Sequence, residues 1–172
     1  MSPMQDLPES MFGWTKLNDE VGGFSLEKHD MPKPELGEVL IKTHSTSICG
    51  TDVHIWKWDD WAKENVPLGT ITGHETCGEV VALGADVDSH SIGDKVAIEC
   101  HLACWNCPRC DEGNAHVCEN GEIFGVHSNG AFSPYFTIPA VNARKLPSNL
   151  AMENASIQDP LGNAIHTLTG GP

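Results

Sequence analysis

No run of this chain approaches the ~18 uninterrupted apolar residues that a membrane-spanning helix needs. Basic residues are scarce: Lys and Arg number 10 against 24 Asp and Glu, and the only arginines are Arg109 and Arg144. The formal charge of −14 repels phosphate backbones and anionic lipid faces, so neither nucleic acid nor membrane is an expected partner. Met1 to Glu9 holds Asp6, Glu9 and two prolines but no apolar core, so no secretory signal is expected and the expected location is cytoplasmic. No Gly-x-Gly-x-x-Gly follows a strand, and no Gly-x-x-x-x-Gly-Lys-Ser/Thr occurs. Nothing recognisable therefore cradles a pyrophosphate. Internal repeats, low-complexity tracts and interdomain linkers are also absent.

What is present suits one domain with its own core: 172 residues, 40% hydrophobic and 20% charged. Seven cysteines form an odd set in a chain without a signal sequence, which argues against a disulfide framework and for metal. The pattern is mainly β with short helices. Strands are expected over Met11–Leu17, Phe24–Lys28, Glu38–Ile48, Cys77–Leu83, Lys95–Glu99, Ala131–Pro139 and Ala143–Leu146. Thr51 or Asp52 is expected to cap a short helical turn through His54 and Trp56, followed by a loop holding Trp58, Trp61 and Pro67. Met152–Leu168 has helical spacing interrupted by Pro160. Residues 100–121 show neither period, and so long a loop needs a function or a staple.

Cys104-x-x-Cys107-x-x-Cys110, closed by Cys118, supplies that staple. Two-residue gaps aim successive thiolates at one point, and the longer gap returns the chain to a fourth vertex, as a closed structural zinc site requires. An iron–sulfur cluster is the rival, since bacterial ferredoxins open with the same spacing. There the fourth cysteine follows three residues later and precedes proline, unlike Cys118. Asn106, Arg109 and Asn114 stand close enough in sequence to help orient the loop. Cys100 and Cys77 are expected to be packed thiols.

A second constellation is more dispersed. Cys49, His74 and Glu75 lie at strand-to-loop boundaries beside Gly50 and Gly73, and offer a mixed ligand set suited to zinc with one position open. Taken singly, a Cys or a His is as often packed in a core. Thr51 and His54 follow Cys49 at two and five positions, where a hydroxyl and an imidazole can form a proton path. Trp56, Trp58 and Trp61 read as packing or subunit contacts, Asp59-Asp60 as a solvated pair, and His29, His90, His116 and His127 as loop or surface residues.

Taken in order, Cys49-Gly50-Thr51-Asp52-x-His54, Gly73-His74-Glu75 and the four-cysteine lobe resemble the zinc-containing medium-chain alcohol dehydrogenase family. Ile55-Trp56-x-Trp58-Asp59-Asp60-Trp61 and Asp159-Pro160-Leu161-Gly162-Asn163-Ala164-Ile165-His166-Thr167 resemble its L-threonine 3-dehydrogenase branch. The resemblance implies a GroES-like, partly closed β-barrel catalytic domain over residues 1–168, with 169–172 a truncated end and the Rossmann half absent. It implies catalytic zinc on Cys49, His74 and Glu75, structural zinc on Cys104, Cys107, Cys110 and Cys118, and a relay through Thr51 and His54. Asp159 matches an acid beside the zinc that is a ligand in some relatives and a relay group in others. His101 matches a histidine that shapes the substrate pocket. The implied reaction oxidises the 3-hydroxyl of L-threonine with NAD, in a homo-oligomer. The rivals are a sorbitol-type polyol dehydrogenase and a non-catalytic zinc module.

Overall fold

In the computed structural model, which describes residues 7–170, strands dominate; Asp6, Gly171 and Pro172 lie outside the described residues. Strands β1 (Ser10–Lys16), β2 (Phe24–Asp30) and β4 (Thr70–Ile71) form one antiparallel sheet in the order β2-β1-β4. The larger sheet runs β10-β6-β5-β3-β9, from β3 (Glu38–Thr46), β5 (Thr76–Leu83), β6 (Lys95–Ile98), β9 (Tyr135–Pro139) and β10 (Ala143–Lys145). At its centre, β3 buries Val39, Leu40 and Ile41 in succession, as expected of a strand covered on both faces. Its register with β5 slips between Leu40 and Ile41 and again between Thr43 and Ser45. Such bulges bend a strand pair and sharpen its twist, which curls the sheet into a half-barrel.

The inner face of that half-barrel holds the main core, with Val39, Ile41, Val80, Val96, Ile98, Phe124, Phe136 and Ile138 each at most 3% exposed. A second cluster of Ile55, Trp58, Ala62, Val66 and Val126 seats two helices, α1 (Gly50–Lys57) and α2 (Asp60–Asn65), beside the first sheet. Trp58 ends α1 in the left-handed region at φ 54°, and Lys16 Nζ lies 4.4 Å over its ring. A third cluster of Cys77, Ala97, Met152 and Ala155 docks a 3-10 turn, Met152–Ile157, against the sheet.

Several expectations need correction. The segment after Trp58 is α2 rather than loop, because Asp59 caps it by accepting from the Ala62 N–H at 3.1 Å. Cys49, not Thr51 or Asp52, is the N-cap of α1; its N–H donates to Asp52 Oδ2 at 2.9 Å. Pro160 does not break the last helix but lies in the first turn of α4 (Gln158–Thr169), where its missing N–H costs no helical bond. β9 begins only at Tyr135, because the backbone N–H groups of Gly130, Ala131 and Phe132 are spent on the Ile71–Gly73 carbonyls. His90 is buried, not superficial, with Nε2 2.8 Å from the Ala143 carbonyl. Within residues 100–121 the loop contains the short strand β7 (His101–Leu102), which pairs with β8 (Glu122–Ile123), and one turn of helix, α3 (Pro108–Asp111).

Candidate metal centres and active site

The four-cysteine lobe is closed at its base by the β7–β8 pair and shaped by α3, whose N-cap is Cys107 and whose first residue is Pro108. The sulfur-to-sulfur separations are 3.4 Å for Cys118–Cys104, 3.6 Å for Cys107–Cys110 and 3.8 Å for Cys107–Cys118. All four sulfurs lie within 4.8 Å of one another. A tetrahedron with ~2.3 Å zinc–sulfur arms has edges of about 3.8 Å, so the four thiols fit zinc. Backbone N–H groups of Cys110 and Glu119 hold the Cys107 thiol down to about 6, pre-forming a thiolate for a cation. The orienting side chain is that of Asn120, whose Nδ2 donates to Cys104 Sγ at 3.6 Å; Arg109 instead pairs with Glu112 at 3.3 Å.

The second centre forms where the end of β3 meets the turn into β5. Gly73 takes φ +90°, and its backbone is held against residues 130–132, so His74 is delivered from a turn that only glycine makes easily. Cys49 Sγ and His74 Nε2 lie 3.1 Å apart. The third member is Asp52, with its carboxylate within 4.8 Å of both ligand atoms; Glu75 is buried beside His74 and is not part of this group. Asp52 Oδ1 and His74 Nδ1 are buried and make no hydrogen bond among the described residues. Buried groups with open hydrogen-bonding capacity are costly in a dry site, and a thiol, an imidazole and a carboxylate are zinc donors. The donor set fits the metal. Burial raises the Cys49 thiol, while hydrogen bonds from the Thr51 side chain and the Asp52 backbone pull it back.

Thr51 and His54 share an open cleft with Asp59, Asp60 and Trp61. His54 Nδ1 is bound to Asp59 Oδ2, so Asp59 is not merely solvated. The same carboxylate therefore caps α2 and orients the imidazole. Trp61 packs edge-on to the His54 ring with centroids 6.2 Å apart.

Asp159 is brought together with Glu99, Cys100 and His101 rather than with Cys49 and His74. It is 6% exposed, and its Oδ1 accepts from the Cys100 N–H at 3.3 Å. Burial pushes the Cys100 thiol far up, with Asp159 adding to the effect, so it stays protonated as a packed thiol should. His101 Nδ1 lies 2.6 Å from Glu99 Oε1, which raises the imidazole and lowers the carboxyl. Sequence reasoning overlooked Asp52, Asp59 and Glu99. The first two carried a legible signal, a polar residue three positions from a helix start at Cys49 and an aspartate just before α2. Glu99 carried none.

Residues 35–148 match the model of the alcohol dehydrogenase GroES-like domain. The chain belongs to that family. Among curated relatives of this GroES-like chain, the L-threonine 3-dehydrogenase of Pyrococcus furiosus is 45% identical over 166 residues, 96% of this chain and 47% of that protein. The L-threonine 3-dehydrogenase of Pseudoalteromonas translucida is 50% identical over 140 residues, 80% of this chain and 41% of its own. The chain thus spans about half the length of the curated relatives it matches. Among solved structures, a short chain alcohol dehydrogenase of E. coli CFT073 complexed with NADH superposes with a TM-score of 0.85 at 30% identity. The match covers 95% of this chain and 46% of that one. The bulged half-barrel agrees with membership of the GroES-like family. No helix among the described residues is long and apolar enough to cross a membrane.

Proposed function

We propose that residues 1–168 are the zinc-binding catalytic half of an L-threonine 3-dehydrogenase, with 169–172 leading out of it. The observation that carries this reading is the coincidence, in one half-barrel, of a closed thiol tetrahedron and an open Cys49/His74 centre beside Thr51 and His54. Identity of 45–50% to threonine dehydrogenases supports the substrate. Seven free cysteines support a reducing, cytoplasmic setting.

Cys49 and His74 would hold the catalytic zinc, with Glu75 or Asp52 completing the protein ligands; Asp159, which groups with Glu99, Cys100 and His101, takes no ligand position in this arrangement. Bound there, zinc is a Lewis acid that lowers the pKa of a coordinated hydroxyl, as it lowers that of water to ~7. Thr51, bonded to the Cys49 thiol, accepts the proton of the threonine 3-hydroxyl and passes its own toward His54. Asp59 holds the imidazole in place while the proton moves on to solvent. NAD, where held against this half, would supply the acceptor for the C3 hydride, the balance being L-threonine and NAD to 2-amino-3-oxobutanoate, NADH and one proton. His101 borders the substrate cleft.

The nicotinamide would be held by residues outside these 172, since the dinucleotide fingerprint does not occur among them. Orientation of two reactants is worth ~7 kcal/mol or more of barrier, so free NAD is a poor substitute and the 172-residue chain alone should not turn over. In a chain extended by a dinucleotide-binding half, the exposed Leu161, Ile165 and Leu168 of α4 would be surface for that half or for a second copy. The test is nicotinamide reduction by zinc-loaded protein with L-threonine and with sorbitol, in the 172-residue chain and in a chain extended by a dinucleotide-binding half. Turnover of threonine by the extended chain alone is expected. Preference for sorbitol would replace the substrate, and equal turnover by the short chain would place the cofactor site within it.

A further inference from the structure

A cleft of about 350 Å³ opens between the cysteine lobe, β10 and α4, lined among others by Glu99, His101, Arg144, His116, Asn163 and His166. Of the two arginines, Arg109 is spent on Glu112, and the neighbouring Lys145 pairs with Asp94 at 2.8 Å. Arg144, exposed on β10, makes no ion pair or side-chain hydrogen bond among the described residues. Across the cleft Glu99 is fixed: its Oε1 faces the His101 N–H at 3.0 Å and His101 Nδ1 at 2.6 Å. Asn142, 4% exposed, donates through Nδ2 to the carbonyls of Glu99 at 2.8 Å and His101 at 2.9 Å, which pins that segment. Glu99 Oε2 makes no hydrogen bond among the described residues, and Arg144 is near enough to favour the charged carboxylate without closing on it.

A guanidinium and a carboxylate that face one cavity and do not pair with each other suit a ligand carrying both complementary charges. We infer that this cleft takes the head group of an α-amino acid zwitterion, Arg144 receiving its carboxylate and Glu99 Oε2 its ammonium. Arg presents a planar fork of donors that matches a carboxylate two bonds at a time. His101 and Asn142 are positioning residues that hold Glu99 in place. Ligand atoms of Glu99, His101 and Asp159 lie within 4.8 Å of one another, so the head group would sit beside Asp159. This assignment rests on the threonine reading and sharpens it: a polyol offers neither charge.

The test uses the side-chain Nε–Hε resonances of the zinc-loaded 172-residue chain, of which there are two, Arg109 serving as internal reference. L-Threonine should shift Arg144 and leave Arg109 in place, whereas L-threoninamide, lacking the carboxylate, should shift neither. Arg144→Gln should weaken L-threonine at least tenfold, read from backbone amide shifts. Glu99→Gln should weaken L-threonine while leaving 3-hydroxybutyrate, which lacks the ammonium, unchanged. Threonine binding equally to the wild type and to Arg144→Gln overturns the head-group site and leaves the threonine reading standing. Sorbitol binding in place of threonine overturns both.

Discussion

Replacing Gly73 with alanine should damage the fold and the second metal centre together. Gly73 adopts φ +90°, and a Cβ built there lies 2.7 Å from Phe132 Cγ and 2.8 Å from Cδ1. These are the root of the ring, not a flexible tip, so the ring must shift as a body. A non-glycine residue in so sparse a backbone region costs ~1–3 kcal/mol. Forcing a methyl into a filled space costs ~1–3 kcal/mol more. The sum, ~2–6 kcal/mol, is a large share of the ~5–15 kcal/mol that holds a domain together. The steric part belongs to Phe132 and the backbone part does not. Urea unfolding of Gly73→Ala, Phe132→Ala and the double variant should therefore show an interaction that returns only the steric share. His74 follows Gly73 directly, so the Cys49/His74 zinc should fall in stoichiometry while the lobe keeps its metal. A Gly73→Ala variant within ~0.5 kcal/mol of wild type and holding both zinc ions would refute this account, since exposed, unremarkable sites behave that way.

Other outcomes follow from the same geometry. Gently purified protein should approach two zinc per chain; mild chelation should empty the open centre before the closed thiol tetrahedron, and iron in the lobe would overturn that assignment. In an extended, active chain, His54→Ala should slow turnover by ~10²–10⁴ without emptying the zinc centre, and Asp59→Ala should slow it less, because the imidazole itself remains. Wild-type turnover in the His54 variant would remove it from the relay. Glu99 and His101 should mark stability with pH. The Glu99 carboxyl, lowered by the His101 hydrogen bond, contributes above its ordinary 4.5 and loses that as pH falls through its folded pKa. His101, raised by the Glu99 hydrogen bond, contributes below its ordinary 6.5 and loses that as pH rises through its folded pKa. The difference in Tm between wild type and Glu99→Gln should therefore be largest between those two values, and small, because both groups are partly exposed. A difference that does not change with pH would show that the pair contributes nothing by charge.

The lobe was legible because its thiols are local: Cys104, Cys107, Cys110 and Cys118 lie within fifteen residues, and short gaps restrict where successive thiols can point. The strands from Glu38 and Cys77 were legible through β-branched, apolar runs that bury wherever they pair. Local patterns misjudged the segment after Trp58 and the role of Pro160. There a single capping side chain, and the fact that the first turn of a helix needs no amide bonds, outweighed the general preference. The sequence by itself determined the four clustered cysteines, the mainly β character and the half-length match to the GroES-like relatives. Only the tertiary structure decided which distant side chains meet. Bulges in β3 and the φ +90° turn at Gly73 put Asp52 with Cys49 and His74, while docking of the Met152–Ile157 turn carried Asp159 to Glu99, Cys100 and His101. It also left Arg144 without an ion pair among the described residues, in one cleft with Glu99, 45 positions apart by their numbers. Contacts of that separation are set by sheet register and packing, and neither composition nor spacing along the chain encodes them.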